Sequence, residues 1–209
     1  MTEVREHRQP GRPPLSSVEV PTPERILQVA ARLFMELGFD GVSMEQVAEA
    51  CDLTKAVVYY HFQSKANLFT TAMIRMMDDI RRRTLEILKR DEPLYDRLLL
   101  ITTIRLRIDT PLDFNAIMRG GQAVMTEEQM KSMHEAEERL FQTIAESFEA
   151  AITHGEIRTI DPVLVARVYM SLLTVGTNEQ SVPSESLPTP DERAKQLLDI
   201  LWSGVRLEP

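Results

Sequence analysis

Apolar residues recur along the chain at the spacing of α-helices rather than that of strands. The first run begins at Thr22-Pro23, a helix-capping residue followed by a proline of the first turn, and Gly38 is of the type that commonly ends a helix. One helical face between them collects the apolar residues Ile26, Leu27, Ala30, Leu33, Phe34 and Leu37. The pattern therefore predicts a helix over 23–37.

The same signals predict further helices along the rest of the chain. Ser43 with Gln46, and Thr126 with Gln129, have the spacing of capping boxes, in which side chain and backbone cap each other. The predicted helices are 23–37, 44–51, 54–62, 64–90, 93–108, 111–119, 127–154, 162–176 and 190–204. Because no useful length of strand alternation occurs, the predicted fold class is all-α, with about nine helices.

Two segments lack this periodicity. Residues 1–22 contain four prolines and no apolar repeat, so we predict a disordered tail. Residues 177–189 are polar and contain prolines, which predicts a flexible loop. The chain thus divides into a tail at 1–22 and two helical parts, at 23–70 and 71–209.

The composition is that of a globular protein. Of the 209 residues, 43% are hydrophobic and 27% are charged, which suffices for a real core. Cys51 is the only cysteine, which excludes a disulfide within the chain and a zinc site of several thiolates. No apolar run reaches the length of about 18 residues that a transmembrane helix needs, and the N-terminus lacks the apolar core of a secretory signal. We therefore expect a cytoplasmic protein.

Charge is distributed unevenly. The net charge is −8, but residues 1–90 hold 13 basic and 12 acidic residues, a net +1, while residues 91–209 hold 11 and 20, a net −9. Residues 53–90 alone hold eight basic and three acidic residues, a net +5. Since a phosphate backbone responds to a local patch rather than to the total, nucleic acid is a candidate partner.

The helices at 44–51 and 54–62 are joined by a tight turn, which is the spacing of a helix-turn-helix motif. The second helix of such a pair enters the DNA major groove with its N-terminal residues at the base edges. Those residues are Thr54, Lys55, Ala56 and Val57. Lysine can bind O6 and N7 of guanine or a phosphate, whereas valine can contact only a thymine methyl group.

Aromatic residues and a second lysine extend this surface. Tyr59 and Tyr60 are adjacent, so both cannot face the core of so short a helix, and one phenol should reach a phosphate oxygen. His61 follows them, and Lys65 begins the fourth helix, where its ammonium group and the helix N-terminus could meet one phosphate. The alternatives are that Tyr59 is a core aromatic and that both lysines are solvated surface charges.

Residues 43–65, SMEQVAEACDLTKAVVYYHFQSK, resemble the DNA-binding motif of the TetR family of transcriptional regulators. The matching positions are Val47, Ala48, Leu53, Thr54, Val58, Tyr59, His61, Phe62 and Lys65. The resemblance covers about residues 23–70 and implies DNA contacts from Ser43, Thr54, Lys55, Ala56, Val57, Tyr59, Tyr60, His61 and Lys65. Whether the tail also touches DNA stays open.

Three positions depart from the family pattern. Asp52 replaces the usual glycine of the turn, and we predict a left-handed backbone there because aspartate tolerates it. Ala56 also replaces glycine but still permits close approach to the groove. Val57 replaces a hydroxyl residue, which removes one expected contact and leaves the base preference open.

The resemblance further implies a homodimeric repressor that a small ligand releases from a pseudo-palindromic operator. The dimer would form through the last two helices, whose apolar candidates are Val163, Val165, Val168, Leu172, Leu173, Leu197, Leu198, Leu201 and Trp202. Candidates for the ligand pocket are Met73, Met77, Ile104, Met118, Met133 and Phe141. Methionine suits an adaptable apolar pocket but is also ordinary core filler. With few aromatic or buried charged candidates, we expect an apolar ligand.

Two other classes of protein stay open. One is a ligand-independent DNA-binding protein of the same fold that acts through a protein partner, and its mark would be a filled C-terminal core. The other is an all-α enzyme, but the sequence contains no catalytic, cofactor-binding or phosphate-binding motif. His134 and Glu138 lie one helical turn apart and could bind a metal, although an acidic solvated face explains them better.

Overall fold

The computed structural model describes residues 22–108, 120–177 and 188–207. These ranges form eight helices, namely α1 (Thr22–Leu37), α2 (Met44–Ala50), α3 (Lys55–Phe62), α4 (Lys65–Leu88), α5 (Leu94–Leu106), α6 (Glu127–Thr153), α7 (Pro162–Thr177) and α8 (Pro190–Val205). The predicted all-α fold is confirmed. The predicted helix at 111–119, the tail before Thr22 and most of the loop at 177–189 lie outside the described residues. No described helix is long and apolar enough to cross a membrane.

The helix ends follow the capping signals of the sequence. The Ser43 hydroxyl accepts a hydrogen bond from the Gln46 backbone N–H (3.1 Å), and the Gln46 side-chain oxygen accepts from the Ser43 N–H (2.7 Å). Thr126 and Gln129 form the same reciprocal pair. Asp52 has φ 53°, the predicted left-handed conformation. Local hydrogen bonding therefore sets where α2 begins and where the turn into α3 lies.

The N-terminal helices enclose a first core, which contains the buried side chains of α1, α2, α3, the first half of α4 and the start of α6. Its centre is aromatic: the ring centroids of Phe34 and Phe69 lie 4.9 Å apart, and those of Phe39 and Phe69 lie 5.1 Å apart, both pairs nearly perpendicular. Edge-to-face rings in a dry site hold defined relative orientations. Met77 and Met133 belong to the same core, so it extends beyond residue 70.

The remaining helices enclose a second core, formed by the end of α4 with α5, α6, α7 and α8. Leu98 of α5, Phe148 of α6 and Tyr169 of α7 are fully buried in it. The Tyr169 hydroxyl lies 3.1 Å from the Thr102 hydroxyl, which itself donates to the Leu98 carbonyl at 2.7 Å. Burial raises the pKa of Tyr169 well above its usual range, so the phenol stays neutral.

Helix α7 carries apolar side chains nearly all round, which corrects the predicted dimer face. Val165, Leu198 and Leu201 are buried inside the protomer, Leu172, Leu173, Leu197 and Trp202 are partly buried, and only Val163 and Val168 of the predicted set are exposed. The sequence pattern did not separate the inner face of α7 from the outer one, because both faces are apolar. The exposed apolar residues that the prediction omitted are Leu164, Val175 and Ile200.

The helices of the second core cross closely at Gly176. A Cβ atom at this position would lie 2.6 Å from Leu197 Cδ1 and 2.8 Å from Leu106 Cδ2, so α7 approaches α8 and α5 as closely as a side chain permits. At Gly204 of α8, by contrast, a Cβ atom would meet no heavy atom within 4 Å.

We expect Gly176→Ala to lower the free energy of unfolding by about 1–3 kcal/mol, because overpacking outweighs the gain in helix propensity. Gly204→Ala is the matched control and should raise it by up to about 1 kcal/mol. Urea unfolding followed by circular dichroism measures both. Equal stability of the two variants would show that the crossing at Gly176 has room to relax.

Candidate nucleic-acid interface

Helix α3 divides into an inner and an outer face. Val58 and Phe62, one turn apart, are buried in the first core. Tyr60 is 80% exposed and Tyr59 is 39% exposed, and they share the outer face with Lys55 one turn earlier. Both phenols therefore lie at the surface, so the alternative that Tyr59 is a core aromatic does not hold.

The residues at the starts of α2 and α3 differ in how their hydroxyls are used. The Ser43 hydroxyl accepts from the backbone of α2, which leaves its hydrogen for a further acceptor. Thr54 is exposed and makes no side-chain capping bond to α3, so its hydroxyl is not committed to the helix end. Next to them, Ala56 is exposed and Val57 is partly buried. A duplex lying across this edge would meet short side chains with available hydroxyls.

Lys55 is held by an acidic residue of the neighbouring helix. Its ammonium group forms an ion pair with the Glu45 carboxylate of α2 and lies 5.2 Å from the centroid of the Tyr59 ring. The hydrogen bond between Lys55 and Glu45 raises the pKa of the lysine and lowers the pKa of the glutamate. Both side chains are about half exposed, so water screens the pair. The lysine is thus charged and directed by its neighbours.

Lys65 is held by an aromatic ring. It is the first residue of α4, whose N-cap is Ser64, and its ammonium nitrogen lies 4.3 Å from the centroid of the Phe39 ring. Phe39 is itself part of the aromatic centre of the first core. The cation–π contact leaves the ammonium hydrogens available while it restricts where the charge can sit.

The turn before α3 is tied to α1. The Asp52 carboxylate accepts a hydrogen bond from Arg25 at 3.3 Å, and the backbone N–H of Leu53 donates to the Ala48 carbonyl at 2.9 Å. His61, which is partly buried, contacts the Tyr60 ring edge-on with centroids 5.2 Å apart. The Arg25–Asp52 bond therefore ties the turn to α1, and the Leu53–Ala48 bond ties it to the end of α2.

Four of the eight basic residues predicted as a patch at 53–90 form ion pairs in the folded chain. Arg75 donates to Glu24 at 2.9 Å, Arg82 pairs with Asp79 at 2.8 Å, and Arg81 lies 3.9 Å from Asp78. The net +5 of the sequence is therefore not one open basic surface. Moreover, residues 23–70 hold four basic and six acidic residues, a net −2. The positive charge offered by α3 and the start of α4 comes from Lys55 and Lys65.

The sequence singled out the lysines but missed the residues that position them, namely Glu45, Phe39 and Arg25. The helix dipole favours an acidic residue in the first turn of α2, and this alone accounts for Glu45. Nothing in the sequence therefore pointed to the contact of Glu45 with Lys55. Phe39 reads as a core residue, and its contact with Lys65 depends on the path of the loop before α2.

The predicted ligand-binding residues fall in different parts of the molecule. Met73, Met77 and Met133 are buried in the first core. Ile104 is exposed on α5, Phe141 is partly buried against the second core, and Met118 lies outside the described residues. The described members therefore do not line one common cavity, and their role in ligand binding stays a prediction.

A narrow apolar gap lies between α5, α7 and α8 in the second core. Its lining residues are Thr102, Tyr169, Leu172, Leu173, Leu197 and Leu198. The gap between these described residues is too tight to admit a water molecule. The surface that lines the gap is apolar, because the hydroxyls of Thr102 and Tyr169 are turned to each other and to the Leu98 carbonyl.

Comparisons with known proteins agree with this arrangement. Residues 26–72 match the family model "Bacterial regulatory proteins, tetR family". The "HTH-type transcriptional regulator AcrR" of Shigella flexneri is 27% identical over 161 residues, which cover 72% of this chain and 75% of that protein. Residues 26–72 therefore form a TetR-family DNA-binding domain, and the chain resembles TetR-family proteins over most of its length. The proteins that it resembles are transcriptional regulators and not enzymes.

Solved structures share the fold of this chain over most of its length. AibR, solved in complex with isovaleryl coenzyme A and operator DNA, has a TM-score of 0.65 and 24% identity and covers 85% of this chain and 96% of its own. FadR from Bacillus subtilis, solved in complex with stearoyl-CoA, has a TM-score of 0.67 and 17% identity and covers 87% and 98%. At these identities the likeness concerns the fold.

We expect Lys65→Ala to weaken binding to every duplex by a similar factor, about tenfold, because the lost contact is to phosphate rather than to a base. Tyr60→Phe should act in the same direction with a smaller effect. Fluorescence anisotropy with several unrelated duplexes measures this. Lys89→Ala, at the far end of α4, is the control and should bind as the unchanged protein does. A loss confined to one DNA sequence would contradict the phosphate assignment.

Proposed function

We propose that this regulator is a homodimeric repressor that binds a pseudo-palindromic operator and is released from it by a small, mainly apolar effector. The observation that carries the proposal is the outer face of α3. There Thr54, Lys55, Tyr59 and Tyr60 are exposed together, on a helix that Val58 and Phe62 anchor from behind. A helix held in this way can enter a major groove as a rigid unit.

An apolar stripe on the last two helices supports the dimer. Leu164, Val168, Ser171 and Val175 follow one another on α7 at the spacing of a single helical face, and Val175 is 66% exposed. On α8, Ile200 is 64% exposed. Single exposed apolar residues are ordinary, but a stripe along a whole helix costs free energy unless a partner covers it. A second copy, packed with α7 and α8 against α7 and α8, would cover the exposed apolar residues of both helices. Such a dimer would present two α3 helices to operator half-sites about one turn of DNA apart.

The proposed coupling between effector and DNA runs through α6, which has buried side chains in both cores. The residues before α6 lie against the loop that follows α1: Met125 belongs to the first core, and a Cβ atom at Gly121 would lie 3.3 Å from Phe39 Cδ2. Phe39 in turn contacts Lys65 at the DNA-facing edge. A ligand that favours a different position of α6 would therefore act on the position of the DNA-binding residues.

Two features support an apolar effector. The gap between α5, α7 and α8 is lined by apolar surface, mostly of leucines, so a molecule that enters there would need an apolar body. Two proteins of similar fold were solved with acyl-coenzyme A molecules, whose acyl groups are apolar. The gap is closed as it stands, so binding would require α7 or α8 to move.

The closed gap also favours a second candidate function. A regulator of this fold that answers to a protein partner rather than to a small molecule would need no cavity, and the second core is well filled where the described residues enclose it. The two candidates differ in what releases the DNA.

The operator is first selected from random-sequence duplex DNA with the full-length protein, and the affinity for the selected site is then measured across a library of fatty acids, acyl-coenzyme A compounds and apolar drugs. Under the main proposal at least one compound lowers the affinity and changes the emission of Trp202, the single tryptophan, which lies 5.2 Å from the Tyr95 ring. Unchanged affinity across the library favours the second candidate. Failure to enrich any site would overturn the proposal of operator binding.

We expect Val168→Asp to convert the dimer into monomers, because it places a charge in the centre of the apolar stripe. Affinity for the palindromic site should fall by about a hundredfold or more, since each half-site would be bound singly. Sedimentation velocity and anisotropy measure the two effects. Leu37→Asp, at the exposed end of α1, is the matched control and should leave the mass unchanged. A Val168→Asp protein that stays dimeric at the same concentration would place the interface elsewhere.

A further inference from the structure

The DNA-binding part of this chain is poor in positive charge. Residues 23–70 hold four basic and six acidic residues, and Arg25 is paired with Asp52. Non-specific affinity for DNA comes mainly from lysine and arginine near phosphates, and here the outer face of α3 contributes Lys55. The ion pair between Lys55 and Glu45 therefore involves one of the few positive charges that this part of the chain offers to a duplex.

The pair changes what Lys55 can do. An ammonium group has three N–H donors. When Glu45 accepts one of them, Lys55 keeps two, and O6 and N7 of one guanine can accept both. A phosphate that approaches the same ammonium group also approaches the Glu45 carboxylate and is repelled by it. The Glu45 carboxylate therefore weakens the contact of Lys55 with phosphate, which every DNA sequence contains. It weakens less the contact of Lys55 with guanine, which only some sequences present.

We propose that Glu45 is a specificity-determining positioning residue, which holds Lys55 toward the base edges and weakens its binding to phosphate. The inference rests on the proposed operator binding and adds a residue that does not itself need to contact DNA. Tyr59 contributes to the same arrangement, because its ring lies beneath the ammonium group and limits the positions that the lysine can take.

The chain offers a matched control one turn further along the same helix. Glu49 is exposed, carries the same charge and is not a partner of Lys55. Glu45→Gln and Glu49→Gln therefore change the net charge equally, and both preserve the shape of the side chain. Only Glu45→Gln removes the charge that faces Lys55. A difference in DNA binding between the two variants therefore measures the effect of the ion pair apart from the effect of net charge.

The experiment measures anisotropy of the full-length dimer with a random-sequence duplex and with the site selected by the unchanged protein, over a series of salt concentrations. We expect Glu45→Gln to tighten binding to the random duplex about two- to fivefold, the range of an exposed ion pair, and to tighten binding to the selected site less. The slope of log affinity against log salt concentration on the random duplex should steepen by the amount expected for about one further phosphate contact. Glu45→Asp, which keeps the charge, should retain most of the specificity ratio.

Three results overturn the inference. They are equal effects of Glu45→Gln and Glu49→Gln, an unchanged specificity ratio, and a full effect of Glu45→Gln in a Lys55→Met background, where no ammonium group is left to position. Thermal unfolding checks that the variants fold. If Glu45→Gln does not fold, the specificity ratio of Glu45→Asp is used instead. Should the unchanged protein bind no duplex even at low salt, the proposed function fails and this inference with it, which is a result distinct from the other three.

Discussion

The placement of α4 in both hydrophobic cores is the constraint on which the rest of the structure depends. Its first half buries Phe69 and Met73 among the N-terminal helices, and its last turns bury Ile87 and Leu88 against α5 and the helices beyond. A single unbroken helix cannot satisfy two close-packed cores in many positions, because each core tolerates only small displacements. Rotation of α4 would therefore move Lys65 at its first turn, and a displacement of that end of the helix would disturb the packing of Ile87 and Leu88 in the second core.

Features that depend on neighbouring residues in sequence could be predicted, and features that depend on the path of the chain could not. The capping box at Ser43 and the left-handed backbone at Asp52 follow from bonds within a few residues, and both are present. The outer face of α7 escaped prediction because Val165 and Val168 look alike as sequence, although one faces the protomer core and the other faces solvent. Periodicity identifies a helix but cannot choose between two apolar faces.

The methionines and the basic residues show the same limit in the candidate sites. Met73 and Met133 suggested a flexible pocket because of their type, whereas they fill the space around the aromatic centre of the first core. The summed charge of 53–90 suggested an open basic surface, whereas Arg75 and Arg82 are engaged by acidic residues of α1 and α4. A sum over sequence counts charges that ion pairs neutralise locally, and it cannot tell which lysine stays directed at a partner. The helix-turn-helix residues were predictable because the motif itself fixes their positions.

A repressor finds its operator only if it is not held at other DNA sites. Affinity for phosphate holds it there, because every site carries the same phosphates. A chain with a strongly basic DNA-binding part would be distributed over the excess of non-operator sites, whose number makes the ratio of affinities matter more than either affinity. Here the N-terminal helices are acidic overall, and Lys55 and Lys65 are each restrained by a neighbour rather than free to follow the backbone. Restraint also lowers the entropy that each lysine loses when it binds, so it weakens unsuitable contacts without an equal loss at the suitable one. The proposed dimer through α7 and α8 would then supply affinity by pairing two selective but weak contacts. Selectivity and strength would thus be divided between the two halves of the chain.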